Sequence, residues 1–163
     1  MEKKSALFVT QAAMIAALYV VLTYVANLFG LASGVIQVRL SEMLCVLPVF
    51  TPAAVPGLFA GCLLSNLLTG CVIWDVIFGS IATLIGAIGT YFLRNSKFAF
   101  TLPPVLANVI IVPLVLQYAY GMQDAIWYLM ITVGIGEVIS ICILGMGVKQ
   151  LVGRYSKVIF KTE

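Results

Sequence analysis

Long apolar runs, with the charges pushed out to their ends, decide what this chain can fold into. Of its 163 residues 63% are hydrophobic, and only nine are Lys or Arg and six Asp or Glu. Eight of the nine bases (Lys3, Lys4, Arg94, Lys97, Lys149, Arg154, Lys157 and Lys161) lie in the N-terminal tip, one interior loop or the C-terminal tail. A single domain of this size cannot bury so much apolar surface within itself, so lipid must act as solvent for it. The expectation is one all-α integral membrane domain over residues 1–163.

A membrane-crossing helix needs about 20 apolar residues. The runs 6–29, 72–93, 98–118 and 125–148 meet that length. Two shorter segments, 40–50 and 56–69, flank the Pro- and Gly-containing turn around Pro52, Pro56 and Gly57, which brings the count to about six helices. The first run reaches Gly30 without a small-residue cleavage site, so it reads as a retained helix rather than a signal peptide. With six spans and a cytoplasmic N-terminus, the eight bases above fall inside, Arg39 alone falls outside, and both termini are cytoplasmic. Trp74, Trp127 and Tyr128 then sit at the outer interface, where amphipathic aromatics belong. The expected location is a bacterial plasma membrane, crossed several times.

Several chemistries are disfavoured at once. The chain has no histidine, the commonest general base and metal ligand. Cys45, Cys62, Cys71 and Cys142 stand singly in apolar runs, which reads as reduced packing residues rather than a disulfide framework or a metal site. The bases are not interleaved with aromatics, so nucleic acid is not an expected partner. No G-x-x-x-x-G-K-[ST] loop is present, and ATP-driven work would fall to other subunits. No catalytic residue, metal or cofactor is assigned to the chain.

What remains are polar residues within apolar runs, each costly in a bilayer unless it has a task. Glu137 lies about 12 residues into the last run, roughly 18 Å deep at 1.5 Å per residue, which is near the midplane. Gly134 and Gly136 beside it leave room for close backbone approach. The carboxylate either ties helices together or binds a ligand. Asn108, about 10 residues into its own run from the opposite side, reaches a similar level, and Asn66 shares its ambiguity between interhelical tie and ligand contact. Arg39 and Glu42 are three apart on one helix face, as a mutual salt bridge or as two groups facing an outward pocket. Asp75 heads its helix, as a cap or as the partner of a cationic ligand. Trp127 and Tyr128 serve an interfacial belt or stack on a flat ligand. Ala12, Ala13, Ala16 and Ala17 make two overlapping small-xxx-small pairs on the first helix, a surface another helix can approach closely; Gly57 and Gly61 do the same in the third.

The run Arg39-Leu-Ser-Glu42, the turn from Leu47 to Gly57, Asp75 to Thr83, Leu102-Pro-Pro-Val-Leu-Ala-Asn108 and Val133-Gly-Ile-Gly-Glu137 together resemble the QueT family, in order and over nearly the whole chain. That resemblance implies a substrate-binding (S) component of an energy-coupling factor (ECF) transporter for queuosine precursors. It implies a six-helix S-component bundle that takes its ligand from outside, together with a transmembrane coupling protein and two ATP-hydrolysing subunits. The small-residue face of the first helix, Ala12/Ala16 or Ala13/Ala17, would contact the coupling protein. It places Arg39, Glu42, Asn66, Asp75, Asn108 and Glu137 at the site.

Pre-queuosine base is a deazaguanine with an aminomethyl arm. Its paired N–H groups suit one carboxylate and its cationic arm a second. On this expectation Glu137 takes the guanine-like edge and Asn108 or Asn66 the carbonyl or a ring nitrogen. Glu42 or Asp75 meets the amine, and Trp127 or a tyrosine covers the ring face. Alternatives are a stand-alone proton-coupled secondary transporter with Glu137 as carrier and, less favoured for want of a nucleophile–base pair, an intramembrane enzyme.

Overall fold

A computed structural model describes residues 2–31 and 36–160; Lys161, one of the expected inner charges, and the side chains of Lys3 and Lys157 lie outside the described set. Among the described residues the chain is all helical. Helix α1 covers Glu2–Leu28 and is followed by a 3₁₀ helix, Leu40–Val49. Next come α2 (Ala54–Leu68), α3 (Ile73–Phe92) and, after a single 3₁₀ turn at Ala99–Thr101, α4 (Leu102–Tyr118). The last helical stretch is α5 (Ile126–Glu137), a π-helical segment (Val138–Leu144) and α6 (Gly145–Ile159) in continuous succession.

The six segments fall where the apolar runs predict them. Four stretches, Lys4–Leu28, Ile73–Phe92, Ala99–Tyr118 and Ile126–Ser156, are long and apolar enough to cross a membrane, and Leu40–Val49 and Ala54–Leu68 are shorter. The last segment differs from expectation in length, since its helix continues past 148 to Ile159. The second differs in kind. Leu40–Val49 is a 3₁₀ helix, about 20 Å long at a rise near 2 Å per residue, which by itself falls short of the hydrocarbon core. It runs through the middle of the protein, with Ser41, Glu42, Leu44, Cys45, Val46, Leu47 and Pro48 all buried. Such poorer hydrogen-bond geometry is tolerable at membrane depth because protein, not lipid, surrounds it. Ile15 and Tyr19 of α1, Leu44, Cys45 and Leu47 of the 3₁₀ helix and Leu58 of α2 meet in one core around it.

Glycines set how closely the helices approach. A Cβ on Gly57 would stand 2.7 Å from the Ala12 carbonyl oxygen, and one on Gly61 would stand 2.7 Å from Tyr19 Cβ and 3.0 Å from Ala16 Cα. The Ala12/Ala16 pair therefore packs inside the molecule, against α2. Ala13 and Ala17, rotated one residue around α1, remain exposed. On the other side α3 meets α4 where a Cβ on Gly86 would lie 2.6 Å from Pro104 Cα.

Candidate functional site

At one end of the bundle, where α1, α2 and α4 finish and α3 and α5 begin, the helices enclose a cavity of about 390 Å³. The charge pattern assigns this end to the outside. All three helices that finish here are followed by glycines in the left-handed region, Gly30 (φ 67°) after α1, Gly70 (φ 75°) after α2 and Gly121 (φ 68°) after α4. In each the amide just past the glycine reaches back, Leu31 N–H to the Ala26 carbonyl at 2.9 Å, Cys71 N–H to the Asn66 carbonyl at 3.0 Å and Met122 N–H to the Leu116 carbonyl at 3.1 Å. These are closures that satisfy the last carbonyls and turn the chain sharply. The turns deliver Cys71, Tyr120 and Met122 to the rim.

The cavity holds three of the sequence-predicted residues, Arg39, Asn66 and Asp75. Asp75 is buried in the first turn of α3, but Val72 holds the cap position and no side chain caps that helix. The capping role is thus corrected. Asp75 Oδ2 instead accepts a hydrogen bond from Tyr120 Oη at 3.0 Å, while Oδ1 is buried without a partner. Asn66 leans on the same corner, its Nδ2 donating to the Asp75 backbone carbonyl at 3.4 Å. Gly79 makes room, since a Cβ there would meet both Asn66 Nδ2 and Asp75 Oδ1 at 3.2 Å.

Arg39 lines the same cavity, from the segment entering the 3₁₀ helix. Burial opposes its charge, but Asp75 foremost and then Glu137 outweigh that and hold the guanidinium firmly ionised, above its ordinary value. Burial and then the Asp75 carboxylate raise Tyr120 above the usual phenol range, so it stays a donor at neutral pH.

Glu42, Asn108 and Glu137 are brought together, but behind the cavity rather than on its wall. Glu42 is wholly buried and accepts hydrogen bonds from Tyr19 Oη, from Cys45 Sγ at 3.0 Å and, at a long 3.5 Å, from Thr83 Oγ1. Its hydrogen-bond partners do not include Arg39, so the simple Arg39–Glu42 salt bridge gives way to a buried network. Asn108 lies beside Glu137, and Glu42 acts on the same carboxylate. Glu137 Oε2 and both side-chain polar atoms of Asn108 are buried without partners. Both acids sit at irregular helix, Glu42 in the 3₁₀ segment and Glu137 at the entry to the π stretch, a placement common at functional sites.

Of the aromatics, Trp127 is 63% exposed and packs edge-on against Tyr128, away from the cavity. Tyr128, Leu129, Thr132 and Val133 line a smaller chamber of about 130 Å³ beside the main one. Trp127 falls on the face of α5 that also exposes Ile131, four residues on, as helical periodicity requires. The ring that lines the main cavity from α1 is Tyr19, which sequence reasoning passed over although a phenol in mid-helix was its own signal. Asn27, Gln37, Ser41 and Thr69 also line the cavity; as short polar residues near helix ends they carried no distinguishing mark. A separate groove of about 630 Å³ between α3 and α4, lined by Trp74, Phe78, Leu114 and Tyr118, has no charged residue on its wall and opens where lipid chains run.

The arrangement can hold a compact polar molecule between the Asp75 and Arg39 side chains. Comparison with known proteins fits that reading. The sequence profile described as the QueT transporter matches residues 9–154. A relative from Lactococcus lactis subsp. cremoris (strain MG1363), named queuosine precursor transporter QueT, is 36% identical over 85 residues. That match covers 52% of this chain and 50% of the relative. No solved structure matches. A profile spanning nearly the full length, over the same polar corner and buried carboxylates, places this membrane protein in the QueT transporter family.

Proposed function

We propose that the chain is the substrate-binding subunit of an ECF transporter and that its ligand is a queuosine precursor, a deazaguanine base bearing a cationic arm. The observation that carries this reading is the cavity pairing Asp75, with a buried unpartnered oxygen, against Arg39. The unpartnered oxygen suits an N–H-rich ring edge, since leaving a buried acceptor unmade costs about 1–3 kcal/mol that a ligand recovers. Around it the described residues place three buried acids, Glu42, Asp75 and Glu137, within electrostatic reach of the Arg39 guanidinium.

In this reading Asp75 takes over the ring-edge role expected of Glu137, because Asp75 is on the wall and Glu137 is behind it. Asn66 offers its amide oxygen, and Tyr19 or Tyr120 covers the ring. Energy comes from partner ATPases through a coupling protein. The test is titration of the detergent-purified chain, read by tryptophan fluorescence, with pre-queuosine base, queuine, guanine and an unrelated vitamin. Saturable binding of one deazaguanine without any partner is expected. Absence of binding to all four by folded protein would sink the assignment.

A further inference from the structure

The two cavities share three residues. Gln37, Leu116 and Met122 line both the main cavity and the 130 Å³ chamber beside it, so these side chains form a thin septum between them. Two of the three are unbranched and change rotamer cheaply, and methionine in particular adapts to whatever adjoins it. The chambers differ in charge. In the main cavity Asp75 already faces Arg39. The small chamber has one acid on its wall, Asp124, and no Lys or Arg.

A further acceptor comes from Thr132. Thr132 Oγ1 donates its proton to the Leu129 carbonyl at 3.0 Å, which leaves the oxygen lone pairs for an incoming donor. Tyr128 and Gln37 also line the chamber. The N-terminus of α5 favours negative charge at Asp124 just ahead of it, and that field fades within the first turn, before Thr132.

We infer that the small chamber is an ammonium seat: the flat ring of the ligand stays in the main cavity, and its cationic arm passes the Gln37–Met122 septum to end on Asp124 and Thr132. The inference rests on the deazaguanine reading for the ring, and adds to it a residue that selects ligands by arm charge. A neutral arm of similar size forfeits the Asp124 attraction. Asp124 then discriminates between two bases identical in their ring.

The experiment is Asp124→Asn in the full chain, titrated with the aminomethyl deazaguanine and with the same ring carrying an uncharged nitrile. Affinity for the aminomethyl base should fall about tenfold or more while that for the nitrile base changes by no more than about twofold. Equal losses for both, or no loss for either, overturn the inference. If the parent chain binds neither base, the ligand reading fails instead, and the seat is tested without it. Thr132→Cys, in a chain whose partly exposed Cys71 and Cys142 are Ser, is treated with aminoethyl and with sulfonatoethyl methanethiosulfonate. The cationic reagent should react about tenfold faster, and Asp124→Asn should erase the preference. Equal rates with Asp124 in place overturn the seat.

Discussion

Tyr19 shows how one side chain can serve two environments. Its ring lines the cavity while its hydroxyl donates to Glu42, the fully buried acid of the 3₁₀ helix. Removing that donor leaves a buried carboxylate short of one of its hydrogen bonds, and bonds to charged groups are worth about 1.5–3 kcal/mol. Tyr19→Phe is expected to lower stability by that amount, measured as the midpoint of unfolding in detergent. An unchanged midpoint would mean that the hydrogen bond from the phenol to Glu42 does not hold the fold. At this scale the sequence was partly legible. Depth arithmetic put Asn108 and Glu137 at one level, and the two are neighbours. Depth along a helix says nothing of azimuth, however, nor of whether the space at that level is open. That is why Asp75, ranked below Glu137 from sequence, is the acid that reaches the wall.

Among the elements, the segment 36–39 is the least regular and the most consequential, because it carries both Gln37 and Arg39 to the cavity. It is held against α5 at Gly136, where a Cβ would lie 2.1 Å from the Gln37 carbonyl oxygen. Gly136→Ala must push that strand of backbone away, since neither partner is a flexible side chain. Ligand affinity is expected to drop by about tenfold, the scale on which misplacing one anchoring group is felt, with helical circular dichroism unchanged. Retained affinity would show that Arg39 is positioned by something else. The glycine was readable as a close-approach site; what approaches it was not, because a loop of irregular backbone leaves no periodicity. The same holds for Leu40–Val49, whose short apolar pattern fits a helix of either kind. Its 3₁₀ winding follows from being surrounded by other helices, a fact no local window contains.

For the molecule as a whole, the pattern of apolar runs and end-charges sufficed for the architecture, since lipid leaves a chain of this composition few choices. The division of the first helix into two faces needed the packed structure. Ala12 and Ala16 pack against Gly57 and Gly61, so on the proposed ECF reading a coupling protein would be left the exposed line through Ala13 and Ala17. Replacing both by Leu is expected to cut co-purification with the coupling protein severalfold while leaving ligand titration of the isolated chain as it was, a split that bulk at Ala12 or Ala16 could not produce. Loss of both properties together would mean that face also supports the fold.

The glycine contacts between α1 and α2 also have a mechanical side. Where backbone meets backbone there is no side-chain cushion to bend, so the two helices behave as one stiff strut. One surface of that strut is the face open to a partner; the far end of its second helix carries Asn66 into the cavity. A sideways push on the outside of α1 is therefore conveyed to the ligand's own wall with little give, as a lever moves its load.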